Sequence, residues 1–286
     1  DLSPLPQTQL KYTTMSIIAK KTVGVIGGSG YTGGELLRLL VNHPMVTIDF
    51  VYSSTRPGTH LTEMHTDLIG QTDLKFTDEV NPNVDMLFLC LVHGLSGTFL
   101  HENPMNDNTK IIDLSNEFRL QNDQHFLGKS YVYGLPEFQK QKIQSAQAVA
   151  NPGCFATAIQ LALLPLAKER LLQNNVQVHA ITGSTGAGVK PSATSHFSWR
   201  NNNVSWYKPF THQHLGEIGE TLQALQPNIP EINFLPIRGN FTRGIFASVY
   251  TTFEGNADDA YSLYEQFYVN SSFTHISKKA LDLKMV

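Results

Sequence analysis

The stretch KTVGVIGGSGYTGGELLRLL, residues 21–40, decides how the chain is read. Its apolar start, 21–27, reads as a buried strand. After a glycine-rich turn, residues 31–42 carry Leu36, Leu37, Leu39 and Leu40 on the apolar side of a helix. The next apolar run, 46–52, reads as a second strand, which completes a βαβ unit.

Within the turn, Gly28, Gly30 and Gly33 satisfy GxGxxG, and Gly27, Gly30 and Gly33 satisfy GxxGxxG. Glycine permits the tight turn and lets backbone amides approach a pyrophosphate, which the helix N-terminus attracts. Gly27, Gly28, Ser29, Gly30, Tyr31, Thr32 and Gly33 are therefore the expected dinucleotide contacts. An NAD site would place an acid for the ribose diol at the end of the second strand. That end reads Tyr52-Ser53-Ser54-Thr55-Arg56, and the nearest acid, Asp49, lies inside the strand. Ser53, Ser54 and Arg56 suit a 2′-phosphate instead, so the expected cofactor is NADP.

Working outward, strands are expected at 84–91, 110–114 and 148–150, with a helix at 136–145. This alternation implies an α/β chain with a Rossmann-type doubly wound parallel sheet. After Asn151 the pattern loosens into a second, α+β catalytic domain. Helices are expected there at 155–172, 215–225 and 258–268, and strands at 177–183, 232–235 and 244–253. The polar stretch 184–210 is long enough to suggest a functional loop. The expected division is a disordered tail at 1–20, an NADP-binding domain at 21–150 and a catalytic and dimerisation domain at 151–286. The tail has Pro4 and Pro6 but no signal-peptide pattern, and Met15 is the expected natural start.

With 286 residues, 41% of them hydrophobic, the chain can build packed cores, which excludes a disordered or disulfide-stapled class. A net charge of −3 with no basic cluster gives no nucleic acid a footprint. The longest apolar runs, 86–92 and 161–167, fall short of the ~18 residues of a membrane helix, so no membrane partner is expected. Two cysteines fit a reducing, cytoplasmic compartment.

One of them stands in Asn151-Pro152-Gly153-Cys154-Phe155-Ala156-Thr157, at the start of a helix. The Pro-Gly turn exposes Cys154, and a helix N-terminus favours its thiolate, which prepares a nucleophile. Cys90, in an apolar strand, reads as a small core residue. In His212-Gln213-His214-Leu215-Gly216-Glu217, a histidine can take a proton near neutral pH and Glu217 can orient it. No further ligands of zinc spacing accompany the pair, so no metal is expected. The segment Asp113 to Arg119, the run Gly183 to Gly188, and Arg238 with Arg243 supply hydroxyls, amides and guanidinium groups for an anionic substrate.

These motifs, with Tyr133-Gly134-Leu135-Pro136-Glu137 and the run from Ala150 to Pro165, resemble the N-acetyl-gamma-glutamyl-phosphate reductase family, kin to aspartate-semialdehyde dehydrogenase. The likeness spans Lys21 to the end. It implies that Cys154 attacks an acyl phosphate small-molecule substrate, and that hydride from NADPH reduces the thioacyl group to a semialdehyde in arginine biosynthesis. It also implies acid/base and positioning roles for His212, His214 and Glu217, with both histidines open as the base. Ser115, Arg119, Ser184, Gly186 and Ala187 would line the phosphate and nicotinamide side, and Arg243 would hold a substrate carboxylate. A homodimer or homotetramer is implied too. Family members usually continue past the position of Val286 into a strand and a cofactor-contacting helix, so a C-terminal segment is expected to be lacking. The wording at 198–203 and 236–241 departs from the commoner pattern, and Arg238 would favour a succinyl over an acetyl group. Aspartate-semialdehyde dehydrogenase and a non-catalytic NADP-sensing protein are the rival readings.

Overall fold

The structure, a computed structural model, describes residues 19–285. The expectations for 1–16 and Met15 lie outside these residues. The first half forms an eight-stranded sheet around β1 (Lys21–Ile26), whose last four residues are buried. On one side it pairs in parallel with β2 (Val46–Tyr52), which leads to β3 (Phe76–Thr77). On the other lie β4 (Met86–Leu89) and β5 (Lys110–Asp113), then β8 (Ala148–Ala150), β7 (Lys129–Tyr133) and β6 (His125–Phe126). Only the β6–β7 pair is antiparallel. The connections from β1 run outward in both directions, which opens a crevice beyond the strand C-termini.

Helix α1 (Tyr31–Leu40) packs Leu37 and Leu40 against Val23, Val25 and Val51. On the opposite face Ile26, Leu87, Leu89 and Ile111 form a second core with Phe99 of α2 (Ser96–Glu102). Sequence periodicity does not reveal α2, because its start depends on a distant side chain. Glu117 accepts from the amides of Ser96 at 2.6 Å and Gly97 at 2.9 Å, which supplies the acceptor that the helix N-terminus lacks locally. Strands β3 and β6, of two residues each, are too short to show alternation. Helix α3 spans Pro136–Ser145.

The second half is a four-stranded sheet in the order β10-β11-β9-β12. Helix α4 (Cys154–Lys168) leads to β9 (Val176–Thr182), and β11 (Ile232–Arg238) pairs with it in parallel. Strands β10 (Ser205–Trp206) and β12 (Ile245–Tyr250) are the antiparallel edges. Helices α4 and α6 (His214–Gln223) cover one face, where Phe155, Ile159, Ile218 and Phe234 share a core. Helix α7 (Ala257–Tyr268) packs on α4 through the Tyr268 hydroxyl, which donates to Leu161 O. Helix α4 ends before the expected residue 172 because Arg170 takes a left-handed φ of 58°, a common helix stop.

The polar stretch 184–210 is ordered around Arg200, at the end of α5 (Phe197–Arg200). Its buried guanidinium donates to the carbonyls of Thr194, Asn203 and Arg238 and to Ser205 Oγ. No helix among the described residues is long and apolar enough to cross a membrane.

Candidate active site

The chain leaves β8 through Pro152 and Gly153, and α4 starts at Cys154 with Gly153 as its cap residue. Because α6 packs beside α4, His212, His214 and Glu217 are carried to that turn. The fit is close: a Cβ on Gly153 would lie 2.4 Å from His214 Nε2. Glycine is needed there for space, since its φ of −65° suits any residue. Gly153→Ala is therefore expected to push the imidazole aside and lower kcat by ~10²-fold, read by steady-state kinetics. An unchanged kcat would place His214 outside the reacting geometry.

Glu217 is buried at the centre. Its Oε1 accepts from Arg119 Nη1 at 2.9 Å. Its Oε2 accepts from the Gly153 amide at 2.9 Å and lies 3.0 Å from the Tyr133 hydroxyl. Both Arg119 and Glu217 side chains are 4% exposed, so the pair is removed from water. The expected Glu217–imidazole bond does not form, since His214 Nε2 stays 3.9 Å from Oε1, beyond hydrogen-bond range. The carboxylate serves the turn and Arg119 instead.

The two imidazoles are neutral at pH 7. Burial is the main cause, and it lowers His212 to about 4 with the help of His214. His214 falls to about 3, with Arg119 adding to the effect. His212 Nδ1 accepts from the His214 amide at 3.2 Å, which leaves its proton on Nε2. The rings pack edge-on to each other and against Phe155.

Cys154 is exposed, whereas Cys90 is half-buried and its thiol is pushed up to about 12 by desolvation. The expected thiolate bias at Cys154 is reversed in sum. Desolvation raises its pKa and outweighs the lowering by the Phe155 amide and Arg119. Two expected substrate contacts are committed elsewhere. The Ser115 hydroxyl is fully buried and donates to Asp113 Oδ2 at 2.7 Å, shaping the turn that carries Glu117. Arg119 is spent on Glu217 and on Leu114 O.

With this geometry in view, residues 22–146 match the family described as semialdehyde dehydrogenase, NAD binding domain. Residues 154–286 match semialdehyde dehydrogenase, dimerisation domain. A Flavobacterium johnsoniae protein named N-acetyl-gamma-glutamyl-phosphate reductase is 57% identical over 265 residues, which is 92% of this chain and 82% of that protein. The chain belongs to the N-acetyl-gamma-glutamyl-phosphate reductase family. A Christiangramia forsetii protein of the same name is 52% identical over 92% of this chain and 81% of its own length. Among solved structures, Vibrio cholerae aspartate semialdehyde dehydrogenase II shares the fold, with a TM-score of 0.64 at 15% identity over 86% of this chain and 79% of that one. As a member of this reductase family, the chain is an oxidoreductase with a nicotinamide-binding domain.

The residues fit such a cofactor. In this reductase-family chain Gly27 has φ of 76°, and a Cβ there would meet Cys90 O at 2.5 Å. A Cβ on Gly33 would meet Gly27 O at 2.6 Å, so the turn must lie flat on its strand. No side chain caps α1, which leaves its first amides free for an anion. Ser53 is buried at the end of β2, while Ser54 and Arg56 are exposed beside it. A cleft of about 430 Å³ lies between the halves, lined by Ser29 and Tyr31 on one side and Thr185 and Thr242 on the other. The turn Ser184–Ala187, which carries Gly186, is laced to 241–244 by amide bonds from Gly183, Ser184 and Thr185. Arg243 lines the same cleft but pairs with Glu35 of α1, so the structure does not bring it to the Cys154 cluster.

Three residues that sequence reasoning passed over also support the site. His65 Nε2 donates to Gly28 O at 2.7 Å beneath the glycine-rich turn. Tyr133 and Gln160 are bonded into the Glu217 cluster. Tyr133 and Gln160 both lie in segments that carry the family resemblance, whereas His65 has no local signal.

Proposed function

We propose that this chain is a cytoplasmic, NADPH-dependent reductase of N-acetyl-glutamyl 5-phosphate in arginine biosynthesis, working through a thioester on Cys154. The observation that carries this reading is an exposed cysteine at a helix start whose two neighbours in the chain, Gly153 and Phe155, pack against the imidazoles of His214 and His212. Because the Cys154 thiol lies above its ordinary range, a neighbouring base must take its proton, and a neutral imidazole of His212 or His214 is the available acceptor. The thiolate then bonds to the acyl carbon, the carbon–oxygen bond to phosphate breaks, and inorganic phosphate leaves. NADPH, when bound, would supply the hydride that reduces the acyl carbon. The carbon–sulfur bond then breaks, which releases the semialdehyde and returns the thiolate to be reprotonated by the imidazolium. The turn from Gly27 to Gly33 would hold the pyrophosphate, Ser53, Ser54 and Arg56 the 2′-phosphate, and Gly186 and Ala187 the nicotinamide side.

Self-association as a homodimer or homotetramer belongs to the same reading. Trp206, Phe246 and Tyr250 leave an exposed apolar surface on the second sheet, and the matched family description names dimerisation.

A second reading, an N-succinyl substrate, is favoured by Arg238. Its guanidinium stacks 4.7 Å from the Tyr207 ring centre, and its buried Nε has no partner. No carboxylate pairs with it among the described residues, and Tyr207 packs against Phe155, next to Cys154. A succinyl carboxylate would supply that partner.

The test is phosphate-dependent NADP reduction with N-acetyl-glutamate, N-succinyl-glutamate and aspartate semialdehydes, repeated with NAD. Either N-acyl substrate is expected to exceed aspartate semialdehyde by ~10²-fold in kcat/KM, with NADP preferred over NAD. A preference for aspartate semialdehyde overturns the assignment, and no turnover with any of them supports a cofactor-sensing protein.

A further inference from the structure

Gln160 lies two turns into α4 and is fully buried. Its Nε2 donates to the main-chain carbonyl of Glu217 and to Thr221 Oγ1, both at 3.0 Å. Its Oε1 lies 3.0 Å from the Tyr133 hydroxyl, which is also 3.0 Å from Glu217 Oε2. One amide thus grips both the backbone of Glu217 and the tyrosine that addresses its side chain. The same Oε2 accepts the Gly153 N–H, the peptide next to the nucleophile. Tyr133 comes from the first sheet, whereas Gly153, Gln160 and Glu217 belong with the second half, so the carboxylate joins the two.

We propose that Gln160 and Tyr133 are positioning residues for Cys154: by fixing the Glu217 carboxylate they fix the Gly153 peptide, and with it the turn that presents the thiol. Neither touches the reacting atoms. A hydrogen bond to a carboxylate is roughly twice as strong as a neutral one, so the Glu217–Gly153 contact can hold the peptide plane against rotation. The single Tyr133 proton is shared between Gln160 Oε1 and Glu217 Oε2, so losing the hydroxyl removes a donor from the carboxylate, and losing Gln160 frees the start of α6. The inference rests on the reading of Cys154 as the nucleophile.

The experiment compares wild type with Tyr133→Phe and Gln160→Leu. Alkylation of substrate-free enzyme by iodoacetamide is followed across pH, with mass spectrometry assigning the label to Cys154 rather than Cys90. Kinetics, NADPH affinity and melting temperature are measured on the same samples. The expected result is alkylation slowed about tenfold at pH 7 and kcat lowered about tenfold to a hundredfold, with the Kd for NADPH within about twofold of wild type. A purely structural network would lower the melting temperature and leave alkylation and kcat within about twofold, which would overturn the proposal. If Gln160→Leu does not fold, Thr221→Val removes one of the Gln160 anchors, and a loss of about threefold in both rates is expected. Unchanged rates in both Tyr133→Phe and Thr221→Val overturn the idea equally. Wild type fully alkylated at Cys154 should lose all reductase activity. If activity persists there, the thioester reading fails whatever the variants do.

Discussion

Cys154→Ser is expected to lower turnover by about 10³-fold or more while NADPH binding stays within about twofold. Serine keeps the shape of the turn but replaces a polarisable thiol with a hydroxyl that ionises far less readily. The neighbouring imidazoles are already poor proton acceptors, with values held near 4 and 3 by burial, so they cannot compensate for the weaker acid. The cofactor turn belongs to the other half, and none of its residues depends on the thiol. Stopped-flow measurement of phosphate release, paired with NADPH fluorescence titration, checks both parts. Near-wild-type turnover would remove the covalent route, and a collapse of NADPH binding would mean that the variant is disturbed beyond its thiol.

Glu217→Leu is expected to destabilise the fold by about 3–5 kcal/mol, the usual cost of stranding one member of a buried ion pair. Two donors lose their acceptor at once, Arg119 Nη1 and the Gly153 amide, while the Tyr133 hydroxyl keeps Gln160 Oε1. Arg119 is the costliest, because its side chain is 4% exposed and its Nε already lacks a partner. Urea denaturation read by fluorescence gives the difference. Adding Arg119→Leu to Glu217→Leu should recover part of the loss, because no charge then remains buried. A single-variant loss below about 1 kcal/mol would show that water reaches Arg119 and that the cluster is not dry.

Much of this was legible without coordinates, and for a common reason. The βαβ unit at 21–52 announces itself through leucine spacing, an apolar strand and glycines at a turn, all signals carried within a few residues. Gly27 and Gly33 proved necessary because a side chain there would strike backbone. Helix α3 and strands β2 and β8 keep the bounds that their local pattern suggested. The exposed, helix-start position of Cys154 was legible from the Pro-Gly turn before it and the helix after it.

The sequence by itself thus determined the fold class, the glycine-rich turn and the residues worth testing as nucleophile and base. Only the tertiary structure decided what those residues touch. Glu217 takes its partners from Arg119, Tyr133 and Gly153, positions 98, 84 and 64 residues away, and passes over the histidine three places before it. Ser115 turns inward to Asp113, and Arg243 meets Glu35 across the cleft. The direction of the Cys154 shift was likewise undecidable locally, since the helix start lowers the pKa while the surrounding protein removes water and raises it. Periodicity and turn chemistry act over a few residues, whereas the partner of a buried charge is set by how α6 docks on α4 and how both meet the first sheet.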